Sequence, residues 1–138
     1  VSSAASDVYK RQQRALPLLL DGRFDPPWVR DIAGSTRLPE AQVRSVLARL
    51  SQSAEVFQVC KDLYYHPQVV QQLADLARGI ADREGQVLAA AFRDATGLGR
   101  KRAIQILEFF DRIGFLRRIG DAHLLRPGTA LFPARDRP

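Results

Sequence analysis

Apolar residues recur along this chain with two spacings, and the change from one to the other divides it into short helices and shorter strands. Val43, Val46, Leu47 and Leu50 fall at i, i+3, i+4 and i+7, one buried stripe on a helix. Pro39 and Glu40 stand at its start, where a proline and an acid suit the first turn, and the helix should run to about Ser51. Ala103, Ile106, Leu107 and Phe110 repeat the spacing in a helix expected over Arg100–Ile113 and ended by Gly114. A β-rich pair follows each stripe. Glu55–Cys60 and Leu63–His66 flank Lys61-Asp62; Phe115–Ile119 and Ala122–Arg126 flank Gly120-Asp121. Each pair reads as a hairpin.

The remaining pattern fills in around these. Gln12–Asp21 is expected to be a helix with Leu16, Leu19 and Leu20 on one side, kept short by Pro17. Pro26-Pro27 forces extended backbone. Trp28–Ala33 reads as a short helix with Trp28, Val29, Ile32 and Ala33 inward and Trp28 as a core anchor, followed by a turn over Gly34–Leu38. Pro67 opens a helix to about Arg83, with Val70, Leu73, Ala74, Ala77, Ile80 and Ala81 on its apolar side, and Glu84-Gly85-Gln86 breaks it. Val87–Ala95 is expected to be the next helix, with Leu88, Ala91 and Phe92 inward, and Thr96–Gly99 a sharp turn that two glycines permit.

Helix, turn, helix, hairpin is the winged-helix order, and it occurs twice. Val29-Arg30-Asp31 matches Phe92-Arg93-Asp94 at an offset of 63, the two stripes match at 60, and Asp62 matches Asp121 at 59. The expected fold is mostly α with short β-hairpins (α+β), in two tandem winged-helix domains. The first spans 12–66 and the second 67–127, with a tail over 128–138. Two units are a domain pair, not a solenoid. Residues 1–11, VSSAASDVYKR, carry no stripe and are set aside as a foreign leader or a disordered tail. Position 1 is not methionine, and the chain reads as a fragment.

Charge changes the picture. Of 138 residues 46% are hydrophobic and 26% charged, a globular balance, and the net charge is +6. From Gly97 to Pro138 there are nine Lys/Arg against four acids, net +5; residues 1–96 hold twelve against eleven, net +1. Basicity gathered at one end suits a polyanion-binding face. Catalytic patterns are missing. Gly97-Leu98-Gly99 lacks the lysine and hydroxyl residue of a nucleotide-binding loop. His66 and His123 stand far apart in the chain, so no metal is expected. Cys60 is the single cysteine, lies in a β-type run, and excludes an internal disulfide; it reads as packing and fits a reducing, cytoplasmic setting. The longest apolar run, Leu16–Leu20, contains Pro17 and falls short of the ~20 residues of a membrane span. Neither an enzyme nor a cofactor is expected.

The outer face of the Arg100–Ile113 helix carries Lys101, Gln105, Glu108 and Arg112. Glu108 would repel phosphate, so the helix should present its N-terminal end, where free N–H groups and the dipole add to Arg100 and Lys101. Arg117, Arg118 and His123 would form the other half of a clamp. The matching surface of the first copy, Arg37, Glu40 and Arg44, is near neutral, so that copy is the weaker binder. An ordinary solvated basic surface, a DNA-binding regulator and a protein-interaction module stay open as alternatives. A regulator is disfavoured by the neutral first copy and the missing dimerisation helix.

The run GLGRKRAIQILEFFDRIGFLRRIGDAHLL at 97–125, followed by Ala130-Leu131-Phe132, closely resembles the C-terminal end of the bacterial selenocysteine-specific elongation factors. PPWVRDIA at 26–33 and Lys61-Asp62-Leu63-Tyr64-Tyr65 are similar to the preceding winged helix of that family, and the resemblance covers about 14–133. It implies the last two of four winged helices and binding of the selenocysteine insertion hairpin that follows an in-frame UGA codon in mRNA. The GTPase part of such factors is absent from this stretch. The family reads the hairpin through its backbone and flipped-out loop bases, in line with RNA's closed major groove. By position, the resemblance implies phosphate contacts from Arg100, Lys101, Arg117 and Arg118, close backbone approach at Gly99, and base contacts from Asp121 and His123. Arg102 stands where the family has an apolar residue. The implied partners are an mRNA stem-loop and the ribosome, for a cytoplasmic monomer without a membrane.

Overall fold

The computed structural model describes residues 15–128 and 131–133; the readings for 1–11 and for the first residues of the Gln12–Asp21 helix lie outside them. In order the elements are α1 (helical over 15–22), α2 (Val29–Thr36), α3 (Glu40–Gln52), β1 (Phe57–Cys60), β2 (Leu63–Tyr65), α4 (Pro67–Glu84), β3 (Val87–Leu88), α5 (Ala89–Thr96), α6 (Arg100–Ile113), β4 (Leu116–Ile119) and β5 (Ala122–Leu125). This is the expected α+β arrangement of two winged helices. The chain divides into two compact units between Val70 and Gln71, inside α4.

The first unit buries the predicted α3 stripe completely: Val43, Val46, Leu47 and Leu50 pack with Leu19, Val29, Ile32, Val56 and Tyr64. β1 and β2 pair antiparallel around Lys61-Asp62, with an irregularity between Gln58 and Cys60. Two bonds tie this hairpin to the loop before α2 and to the start of α2. The Tyr65 hydroxyl donates to the Phe24 carbonyl at 2.7 Å, and the Val29 N–H donates to the Asp62 carbonyl at 3.0 Å.

Two expectations are corrected here. Trp28 is half-buried instead of anchoring the core. The extended Pro26-Pro27 segment leaves it at the N-cap of α2, one residue outside the helical stripe, with its N–H on the Asp31 carboxylate. The turn assigned to Gly34–Leu38 is helical through Thr36, because Arg37 alone makes the reversal in the left-handed region at φ 58°.

In the second unit α6 begins and ends where its sequence pattern places it. Ala103, Ile106, Leu107 and Phe110 are all buried, with Phe109 beside them. Gly114, at φ 89°, closes the helix. Val87 and Leu88 are not the start of a helix, as their spacing suggested, but a strand. β3 pairs with β5 and β5 with β4, giving a three-stranded sheet in the order β3-β5-β4. Strand alternation buries Val87 and leaves Leu88 41% exposed, the reverse of a helical placement. Phe132 packs its ring against Phe110 and Phe115, and Arg78 of α4 donates to its carbonyl, so Phe132 tethers 131–133 to the edge of this unit's core.

The repeat also changes. Both N-caps (Trp28 and Leu88, Pro39 and Gly99), both left-handed C-caps (Arg37 and Gly97), and the left-handed pair Ala54 and Gly114 stand 60 apart. The true partner of Phe92 is therefore Ile32, and the offset of 63 was one helical turn too long. Three residues are nearly a full turn. Val29 and Ile32 thus face the same way, and periodicity cannot tell them apart.

Candidate nucleic-acid interface

The start of α6 is built to be exposed. Leu98 and Gly99 lead into it in extended conformation, and no side chain caps it. Arg100 and Lys101 point away from the buried stripe and are exposed. A Cβ at Gly99 would meet nothing within 4 Å, and its φ of −71° suits any residue, so the glycine contributes open space and not a special backbone shape. Along the outer face, Arg100, Lys101, Ile104, Gln105 and Glu108 line an open depression of about 540 Å³.

The wing is anchored elsewhere on the helix. His123 of β5 is only 6% exposed, and its Nδ1 lies 2.9 Å from the Asp111 carboxylate near the far end of α6. Asp111 is eleven residues beyond Arg100, about 16 Å along the axis. The root of the wing is therefore held at the opposite end of α6 from Arg100 and Lys101. The expectation that His123 reaches outward to a base is corrected by the same geometry. It lies on the core face of the sheet with Val87 and Leu116.

Arg117 and Arg118 also part company. They are adjacent on β4 and so project to opposite faces. Arg118 pairs in register with His123 on the α6 side, with its Nε on the Gly120 carbonyl at 3.0 Å. Arg117 shares the outer face with Ile119, Ala122 and Leu88, of which Ile119 is 52% exposed. Asp121 sits exposed in the turn. Of the seven candidates, then, Gly99, Arg100 and Lys101 form one exposed group, Arg118 and Asp121 a second at the wing, Arg117 stands on the far side of the sheet, and His123 is inside.

In the first unit the same two places are joined by a lock that sequence reading missed. Arg44 of α3 meets the wing-turn carboxylate of Asp62 through two bonds, Nε at 2.8 Å and Nη2 at 3.1 Å, and stands 3.9 Å from Glu40. The hydrogen bond from Arg44 holds the Asp62 carboxyl below the ordinary carboxylate range, and Asp62 raises Arg44 in turn. Position 104, sixty residues on from Arg44, is Ile, so α6 cannot make this bond. No local signal marks it, since a basic residue one turn into the helix and an acid in the hairpin turn form a pair only if the fold brings them together.

Among the described residues no group of three His, Cys, Asp or Glu could hold a metal, and no helix is long and apolar enough to cross a membrane.

Comparison with known proteins identifies the family and the fold. The family described as "Elongation factor SelB, winged helix" matches residues 79–125. A selenocysteine-specific elongation factor of Escherichia coli is 44% identical over 123 residues, covering 89% of this chain and 19% of the relative. That of Haemophilus influenzae is 34% identical over 99 residues, 72% of this chain and 16% of the relative. The chain thus spans less than a fifth of these relatives. A solved structure, the mRNA-binding domain of E. coli elongation factor SelB in complex with SECIS RNA, superposes with a TM-score of 0.80 at 42% identity, covering 86% of this chain and 96% of that one.

Proposed function

We propose a function from one premise: the chain belongs to the family of selenocysteine-specific elongation factors (SelB). It acts as the mRNA-hairpin-binding module of such a factor, recognising the selenocysteine insertion element and so supporting selenocysteine incorporation at UGA. The observation that carries this is a coincidence. The chain matches 96% of a domain solved with its RNA hairpin, and its largest local excess of charge lies in the second winged helix, where ten Lys/Arg stand against seven acids over 67–127 and the basic helix start is left open. We assign RNA contact to the winged helix of 67–127: Arg100 and Lys101 to one stretch of phosphates, Arg118 and Asp121 at the wing to another, Gly99 to close backbone approach, and Arg117 to a contact made from the outer sheet face. The cytoplasm is the proposed compartment, a monomer the proposed state and the ribosome a second partner. GTP and tRNA binding belong to parts of the relatives that this chain does not span.

Titration with a stem-loop RNA, the same stem-loop with its loop altered, and the equivalent DNA duplex tests the assignment. Tight binding to the first alone is expected. Equal binding to all three would sink it, and preference for duplex DNA would favour a DNA-binding regulator.

A further inference from the structure

We infer that the Asp111–His123 pair is a positioning device: it fixes the wing against α6 so that Arg118 is held for the RNA backbone. The inference rests on the RNA-binding reading above. Three observations carry it. First, the pair joins the two halves of the interface, since Asp111 lies on α6, His123 lies on β5, and Arg118 is the residue directly opposite His123 in register. Residues so paired have adjacent Cβ atoms on one face, so the placement of one constrains the other.

Second, the winged-helix fold does not require the pair. Asp111 corresponds to Ser51 at the offset of 60, and His123 to Tyr64, each two residues past the aspartate of its turn. Ser51 donates to the Ala48 carbonyl of its own helix, and Tyr64 is buried in the first unit's apolar core. The near-neutral copy thus folds the same way without a polar link at this place. A partly buried ionisable pair is a modest source of stability, because desolvation offsets part of the attraction. Its presence in the basic copy alone points to orientation instead.

Third, the ring is held by one nitrogen only. Nδ1 is the bonded atom, and no buried side-chain nitrogen or oxygen among the described residues lacks a partner. Nε2 is therefore at the ring's small exposed edge, which makes direct RNA contact through Nε2 the competing role to separate.

The test measures hairpin affinity in the full chain for two variants that break the bond, Asp111→Ala and the double exchange Asp111→Ser with His123→Tyr, and for one that keeps it. The last is His123→Asn, whose amide N–H can stand where Nδ1–H stands while Nε2 is lost. Each is made with Arg118 intact and in an R118A background, and melting curves identify the folded variants. The breaking variants should bind about tenfold more weakly with Arg118 intact and within about twofold of their parent in the R118A background. His123→Asn should bind like the wild type. Equal losses in both backgrounds, undiminished binding by a folded breaking variant, or a His123→Asn loss as large as that of Asp111→Ala would each overturn the positioning role. Failure of the wild type to bind any hairpin would withdraw the functional reading itself, a result distinct from these.

Discussion

Two helices of one fold, sixty residues apart, begin with opposite chemistry. α3 opens Glu40-Ala41-Gln42-Val43-Arg44, and α6 opens Arg100-Lys101-Arg102-Ala103-Ile104. The buried third of the pattern is the same in both. In the first unit the acid at the helix start and the arginine one turn on are turned inward to the local charge balance, and Arg44 bridges to the wing at Asp62. In the second, the bridging arginine is an isoleucine, its charge is replaced by three bases at the helix start, and the wing-turn Asp121 is exposed. Closing the gap between helix and wing makes a self-satisfied module; leaving it open makes a surface that must find its counter-charge elsewhere. The comparison teaches that the same stripe, caps and hairpin can carry opposite surface chemistry, and that a few exposed positions set the charge each copy presents.

The sharpest way to break this comparison is to damage each core at its matched position. Leu47 and Leu107 are both fully buried, sixty residues apart, and each change to Ala should cost about 2 to 5 kcal/mol of its own unit's stability. Leu107→Ala should abolish hairpin binding at physiological temperature, whereas Leu47→Ala should spare it. Trp28, the single tryptophan, reports the first unit by fluorescence, so denaturation can assign each loss. Hairpin binding lost with Leu47→Ala and kept with Leu107→Ala would reverse the roles of the copies.

A smaller effect separates contact from bulk charge. Lys101→Ala should weaken hairpin binding by about tenfold and lower the log–log salt slope by about 0.7 to 0.9, one phosphate contact. The matched change at the neutral start, Glu40→Ala, should leave the slope alone. A slope unmoved by Lys101→Ala would remove it from the interface.

Backbone strain gives a third matched pair. Ala54 and Gly114 both occupy the left-handed region, at φ 59° and 89°. Left-handed strain outweighs glycine's extra unfolded-state entropy, so Ala54→Gly should stabilise, and Gly114→Ala destabilise, each by about 0.5 to 1 kcal/mol. Chemical denaturation would read both; two shifts of the same sign would contradict the matched geometry.

The smallest effect is the lock itself. Asp62 has a folded value held below its unfolded one, near 3.8, so its contribution is fully present above that pH and is lost as pH falls through the folded value. Melting of wild type and Asp62→Asn should therefore differ at pH 7, the wild type being the more stable, and the gap should narrow as pH falls below 3.8 through the folded value. A gap that does not narrow at all on acidification would mean that Asp62 acts through something other than its charge.

Most of the architecture was legible because it rests on local periodicity. The stripes of α3 and α6, the glycine after Ile113 and the two hairpins state themselves within a dozen residues. The failures share a cause. Val87-Leu88 is too short to show a period, and it is a strand only because β5 lies beside it. Trp28 is apolar and adjacent to a helix, but its burial depends on where two prolines aim the chain. The repeat slipped by one turn because a helix face recurs every three to four residues. At the interface, net charge and its location along the chain singled out Arg100 and Lys101. Nothing local could separate Arg117 from Arg118 by face, or send His123 inward.

From the sequence alone came the kind and order of elements, the tandem repeat and the copy that carries the charge, since each depends on residues close together in the chain. Tertiary structure alone decided that Arg44 finds Asp62 and that His123 finds Asp111. Those facts join residues twelve and eighteen positions apart, and only packing determines whether such residues meet.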